Sequence, residues 1–234
     1  MAGYFGRRGY TVAVNGRSPE AVNDTVAELT RAGVPSVAAA ADITDPTAVT
    51  ELVARLEAGS GPVVAMIHNA TLRKHAPIGD MSIDDWEAVL GTVLTGGFVC
   101  AKAVVPAMRE RRWGRLIFIG GHSAQSGVPG GSATGAAKNG LFGLTKALAR
   151  ELGPDGITVN CISPGVIDTE RAEPPDPGGG LRHLESGRMR ALERVPAGRA
   201  GQQEEVAAMA HFLCEDAAAY VNGQVIGVNG GLYL

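Results

Sequence analysis

Short apolar runs alternate along the chain with longer amphipathic stretches. Continuous apolar runs of this length predict strands, and they occur at residues 11–14, 63–67, 116–119 and 158–162. Strands without polar alternation are typical of parallel sheets that helices cover on both faces. The pattern therefore predicts an α/β fold with a doubly wound parallel sheet and a single domain over residues 1–234.

The two longest periodic segments predict helices over residues 85–111 and 133–152, the second ending at Gly153 and Pro154. Residues 173–180 are rich in proline and glycine, which predicts a loop. A chain of 234 residues with 45% hydrophobic content can bury one sizeable core.

Charge and cysteine content narrow the class of protein further. A net charge of −3 gives no electrostatic reason to expect binding to nucleic acid or to an anionic membrane. No apolar run approaches the ~20 residues that span a bilayer, and no signal-peptide core is present. The three cysteines are far apart and lack metal-ligand spacing, which predicts reduced thiols, no metal site and a cytoplasmic protein.

Residues 131–141 resemble the active-site helix of the short-chain dehydrogenase/reductase (SDR) family. Further segments match that family's motifs in the same order and spacing: residues 9–18, 41–45, 64–71, 157–165, 196–206 and 223–231. The resemblance implies a Rossmann-like SDR domain that binds a small-molecule substrate and forms a homotetramer or homodimer. It also implies that the loop at residues 173–180 covers the substrate.

Three of the family's four catalytic positions are altered in this chain. The family has Tyr-x-x-x-Lys, in which the lysine lowers the pKa of the catalytic tyrosine; this chain has Thr134 and Lys138. Val93 stands at the position of an asparagine that anchors a relay water, and Gly121 at that of the catalytic serine. Ser123 could replace the serine only if its loop were displaced. A threonine hydroxyl is too weak an acid to replace tyrosine directly.

The start of the chain already matches the middle of the helix that follows the family's first strand and glycine-rich turn. Those elements hold the cofactor pyrophosphate, so their loss predicts a sheet without its first strand and no bound cofactor. A start codon assigned too far downstream is the alternative, and NADP is then the expected cofactor. Its contacts would be these residues: Arg17, Asp42, Asn69, Ala70, Lys138, Pro164, Gly165 and Thr169.

Histidines offer replacement acid/base chemistry because His68, His75 and His122 follow predicted strand ends, where α/β sheets place their ligands. We expect His122 and Lys138 to be the principal catalytic pair, with His68 as a further candidate. Only four tyrosines occur, and none lies near Thr134 in sequence. Tyr233 is retained as a candidate because C-terminal tails in this family can approach a neighbouring subunit's site.

These observations predict an SDR-fold enzyme that performs cofactor-independent acid/base chemistry on a small oxygenated metabolite, in bacterial biosynthesis. Dehydration, cyclisation, isomerisation and lyase steps all fit that description. Two alternatives remain. One is an atypical NADP-dependent ketoreductase whose N-terminus was truncated by annotation, and the other is a catalytically inactive subunit that assembles with an active relative.

Overall fold

The computed structural model describes residues 1–169 and 192–233. Its helices and strands alternate in this order: α1 Ala2–Gly6, β1 Val12–Gly16, α2 Pro19–Arg31, β2 Ser36–Ala40, α3 Pro46–Ser60, β3 Ala65–His68, α4 Ile83–Leu90, a π-helical turn Gly91–Thr95, α5 Gly96–Arg111, β4 Gly114–Ile119, α6 His122–Ser126, α7 Ser132–Leu152, a 3-10 turn Gly153–Asp155, β5 Ile157–Pro164, α8 Gln203–Phe212, a 3-10 turn Asp216–Ala218 and β6 Val225–Val228. The predicted loop at residues 173–180 lies outside the described residues.

All the strands of the described chain are parallel, and they form two sheets. β1 pairs with β2, with Val12 opposite Ser36, while β3, β4, β5 and β6 pair in that order. The parallel order and the helices between strands confirm the predicted Rossmann-like α/β fold.

A cavity of about 300 Å³ separates β1 from β3, and it is lined largely by apolar side chains such as Val12, Val14, Ala65 and Ile67. Within the described residues β1 pairs only with β2, and β3 only with β4. β1 therefore alternates between half-buried and exposed residues, although its apolar sequence predicted burial on both faces.

The predicted helix over residues 85–111 is observed as the continuous run Ile83–Arg111, which contains the π-helical turn. By length and composition alone this run could cross a membrane. Its residues Val89, Val93, Val104 and Met108 are instead buried in the main core, against the sheet and α7. The run is therefore the central helical layer of this domain, because its apolar side chains pack against protein.

The core joins α7 to the most buried strands. Leu116, Phe118, Val159 and Cys161 of β4 and β5 are fully buried with Leu141 of α7. α7 spans Ser132–Leu152 and ends in the turn containing Gly153 and Pro154, as predicted. This packing fixes the N-terminal half of α7 beside the carboxyl ends of β4 and β5, where an open α/β sheet forms its ligand crevice.

Candidate functional site

A cavity of about 290 Å³ opens at the carboxyl ends of β4 and β5, beside the first turns of α7. Seven residues predicted from the sequence line it: Asn69, His122, Thr134, Lys138, Pro164, Gly165 and Thr169. We refer to this cavity as the crevice. Its lining comes from six separate segments of the described chain, which the fold brings together at this edge of the sheet.

Thr134 and Lys138 lie one turn apart on the buried face of α7, with 7% and 6% of their surfaces exposed. The Thr134 hydroxyl is buried, and it finds no hydrogen-bond partner among the described residues. A buried hydroxyl without a partner costs free energy, so a ligand oxygen that bonds to it in the crevice would offset that cost.

Burial changes the acidity of the other residue of this pair. The Lys138 ammonium donates a hydrogen bond to the Ile119 carbonyl oxygen at 2.5 Å, at the end of β4. Its removal from water is the main reason that the pKa of Lys138 is lowered to about 8; Cys161 opposes this shift, and Arg73 at the crevice adds to it. Lys138 therefore carries a proton at neutral pH and releases it more readily than an exposed lysine, as general acid catalysis requires.

His122 begins α6 and forms part of the crevice wall. Two hydrogen bonds hold α6 in place: Asn139 Nδ2 of α7 donates to the Ala124 carbonyl at 2.7 Å, and Ser163 Oγ of β5 donates to Gln125 Oε1 at 3.0 Å. Ser123 is the second residue of this helix, and its proposed role stays a prediction. Gln125 and Asn139 could not be selected from the sequence, because their hydrogen-bond partners lie on other elements.

His68 lies outside the crevice, which corrects its assignment as an acid/base residue there. Its ring Nε2 donates a hydrogen bond, at 2.8 Å, to the carbonyl oxygen of Val93, which lies in the π-helical turn. Burial lowers the pKa of His68 to about 4, so the imidazole is neutral at pH 7. His68 and Ala70 line a different cavity, of about 370 Å³, together with Cys100. His68 therefore serves to join β3 to the helical layer.

Only some of the residues expected to contact a cofactor lie together at the crevice. Pro164, Gly165, Thr169 and Asn69 line the crevice with Lys138. Asp42 instead accepts hydrogen bonds from its own turn, at 2.9 Å from the Thr44 amide and 2.8 Å from the Thr44 hydroxyl. These bonds lower the pKa of Asp42. Arg17 is exposed in the turn after β1, outside the crevice lining.

The crevice combines a polar floor with a wall that long side chains leave open. Its polar floor contains the unpartnered Thr134 hydroxyl and the Lys138 ammonium, and Pro164 and Gly165 leave a wall without long side chains. The described residues contain no cluster of three His, Cys, Asp or Glu side chains that could hold a metal.

Comparison with known proteins establishes the family. The family model described as enoyl-(acyl carrier protein) reductase matches residues 1–233. The chain is 35% identical over 231 residues to the 3-oxoacyl-(acyl-carrier-protein) reductase FabG of Pseudomonas aeruginosa. The aligned region covers 98% of this chain and 90% of that protein. It is 37% identical over 227 residues to the acetoacetyl-CoA reductase of Shinella zoogloeoides, and the aligned region covers 96% of this chain and 89% of that protein. This protein belongs to the short-chain dehydrogenase/reductase family.

Solved structures agree with this assignment. A gluconate 5-dehydrogenase from Burkholderia cenocepacia, in complex with NADP and tartrate, superposes with a TM-score of 0.87 at 28% identity, covering 99% of this chain and 88% of that one. A short-chain dehydrogenase from Bacillus anthracis gives a TM-score of 0.86 at 30% identity, covering 100% and 90%.

Two expectations from the sequence are wrong in the light of these relatives. The first was that the chain performs acid/base chemistry without hydride transfer, whereas its similar relatives are named as reductases. The second was that it needs no cofactor, whereas a structure that matches nearly the whole chain holds NADP. Both expectations gave too much weight to a few altered positions within a chain that is similar to reductases throughout.

The low pKa of His68 makes stability depend on pH in a defined window. The unfolded chain binds a proton at His68 below about pH 6.5, and the folded chain only below about pH 4. The free energy of unfolding should therefore fall as pH falls from 6.5 to 4. In His68→Asn, which keeps an N–H donor for Val93, the fall should be less steep, as measured by urea unfolding at pH 7 and pH 5.

His75→Asn is the comparison variant: burial also lowers the pKa of His75, but the residue is exposed in the structure, so this variant should change the pH slope less than His68→Asn does. Equal slopes for the wild type and His68→Asn would contradict the assignment of His68 as a buried, neutral histidine.

Proposed function

We propose that this protein is an NADP-dependent ketoreductase that reduces the 3-oxo group of a small acyl thioester. The observation that carries the proposal is the pairing of an unpartnered, buried Thr134 hydroxyl with the Lys138 ammonium on the floor of the crevice. The substrate class is suggested by relatives that are named as 3-oxoacyl-(acyl-carrier-protein) reductase and acetoacetyl-CoA reductase.

The chemistry follows from these two side chains. The Thr134 hydroxyl donates a hydrogen bond to the substrate carbonyl oxygen, which orients the carbonyl and polarises it. Lys138 places a positive charge beside the oxygen as negative charge develops there, in a site largely removed from water. With a pKa of about 8, Lys138 is also the group that supplies the proton which completes the alcohol. Bound NADPH supplies the hydride.

This arrangement is an atypical active site for the family, because a lysine takes over the acid role of a tyrosine. In this proposal the Thr134 hydroxyl donates a hydrogen bond to the substrate oxygen and keeps its proton. His122, in the crevice wall, is proposed as a polar contact for the substrate. Among the described residues no tyrosine side chain lines the crevice, and we therefore assign the proton donor to Lys138.

The same crevice would hold the nicotinamide end of the cofactor. Asn69, Pro164, Gly165 and Thr169 are the wall residues available for this. Arg17, whose guanidinium is exposed after β1, is proposed to contact the 2′-phosphate, since an arginine there pairs well with phosphate oxygens. Asp42 is bonded to Thr44 and is proposed to shape the turn.

Lys138 variants test this function. With NADPH and acetoacetyl-CoA, Lys138→Ala should reduce turnover by ~10²–10⁴-fold, because it removes the acid and its charge. Wild-type turnover should fall as pH rises through about 8, where Lys138 loses its proton. Thr134→Val should raise KM and lower kcat, whereas Thr134→Ser should retain most activity because it keeps the hydroxyl.

Lys146→Ala is the matched control, since Lys146 lies on the exposed face of the same helix and should leave turnover and pH profile unchanged. Calorimetric titration with NADPH accompanies each assay. Wild-type turnover in Lys138→Ala would disprove the role of Lys138, and bound NADPH without any reduction would favour an inactive subunit that partners an active relative.

We also propose that the protein is cytoplasmic and forms a homotetramer or homodimer. Cys100, Cys161 and Cys214 are free, and burial raises their pKa values to about 11, 12 and 12, so these thiols are unreactive.

Phe98 on α5 leaves 46% of its surface exposed, which favours burial against a second copy. Light scattering should give two or four times 24.1 kDa, and a monomer at micromolar concentration would contradict the assembly.

A further inference from the structure

The C-terminal tail folds back onto the chain after β6, and Asn229 organises the turn. Asn229 Oδ1 accepts a hydrogen bond from the Gly231 amide at 3.0 Å, and Asn229 Nδ2 donates to the Tyr233 carbonyl at 2.8 Å. The Leu232 amide donates to the Asn229 carbonyl at 3.1 Å. One asparagine therefore fixes the path of the four residues that follow it.

The tail is also held by packing. Leu232 is buried in a small apolar cluster with Val166, which follows β5, and Val195, which precedes α8. Gly230 and Gly231 have φ angles of +62° and +84°, which residues with a Cβ rarely adopt. A Cβ on Gly230 would lie 2.7 Å from a methyl carbon of Val195. The close turn thus requires these glycines, and it leads the chain towards the crevice.

At the end of this turn the ring of Tyr233 stacks on the ring of His122. The ring centroids are 6.1 Å apart and the planes differ by 3°, which is an offset-stacked geometry. His122 lines the crevice with Thr134 and Lys138. Tyr233 is half-buried and does not itself line the crevice, so it can act on a bound substrate only through His122.

We propose that Tyr233 is a positioning residue for the crevice of its own chain: the C-terminal turn holds its ring parallel to the His122 ring and so orients the imidazole towards the substrate. This inference rests on the proposed function for its effect on catalysis, but the stacking itself does not. It also changes the expected role of the tail, which from sequence was a contact to a neighbouring subunit. The turn after β6 thus takes part in orienting the substrate.

Nuclear magnetic resonance tests the stacking without any need for activity. The imidazole C–H resonances of His122 are assigned by their loss in His122→Gln. In Tyr233→Leu these resonances should move, because the ring current of Tyr233 is gone, whereas Tyr233→Phe should keep them near their wild-type positions. Tyr220→Leu is the control, since Tyr220 is fully exposed and outside the crevice.

A reciprocal measurement guards against a misfolded variant. The ring protons of Tyr233 in the otherwise intact protein should shift when His122 is replaced by glutamine, which leaves the tail's own anchors at Asn229 and Leu232 in place. His122 resonances that stay unchanged in Tyr233→Leu, or Tyr233 resonances that stay unchanged in His122→Gln, would overturn the proposal.

The effect on the substrate is tested by a double-mutant cycle with acetoacetyl-CoA binding as the readout. Tyr233→Leu should weaken binding roughly tenfold, or ~1.4 kcal/mol, and Tyr233→Phe should not. In a His122→Gln background, Tyr233→Leu should have no additional effect, because the residue acts through His122. Equal losses in both backgrounds would contradict positioning. If reduction itself is not observed, the proposed function fails while the resonance test still decides the stacking.

Discussion

The hydrogen bond from the Lys138 ammonium to the Ile119 carbonyl is the interaction on which the candidate site depends. It joins α7 to the end of β4, and it can form only because α7 packs closely against β4 and β5 through fully buried side chains such as Leu141 and Phe118. The same packing removes Lys138 from water and lowers its pKa to about 8. The stability of the core and the acidity of the site therefore have one structural cause.

The gap between β1 and β3 is the second feature that shapes the candidate site. Parallel strands normally satisfy their backbone groups by pairing on both edges, and here two strand edges face a cavity of about 300 Å³. Asn69 lines this cavity as well as the crevice, so the two spaces meet at the end of β3.

Sequence reasoning predicted the fold well because continuous apolar runs and long periodic helices are local signals. It also brought Thr134, Lys138 and His122 to one crevice, since parallel strands present their carboxyl ends at one edge. His68 could not be interpreted from sequence, because its partner is the Val93 carbonyl 25 residues away, inside a π-helical turn. The contact between Tyr233 and His122 depends on a turn that Asn229 and two glycines define. It could not be predicted because the two residues lie far apart in the sequence. The prediction of cofactor-free chemistry was wrong because single altered residues do not reveal which neighbour takes over their role.

The central claim is that this crevice reduces a carbonyl by hydride transfer, and transfer of deuterium tests it most directly. The protein is incubated with acetoacetyl-CoA and NADPH in which both hydrogens on the reactive carbon of the nicotinamide ring are deuterium, and the hydroxyacyl product is analysed by mass spectrometry. The account predicts one deuterium per product molecule, bonded to the carbon that bears the new hydroxyl, and almost no product from Lys138→Ala. A product that forms without deuterium, or substrate that is converted when NADPH is left out, would contradict it.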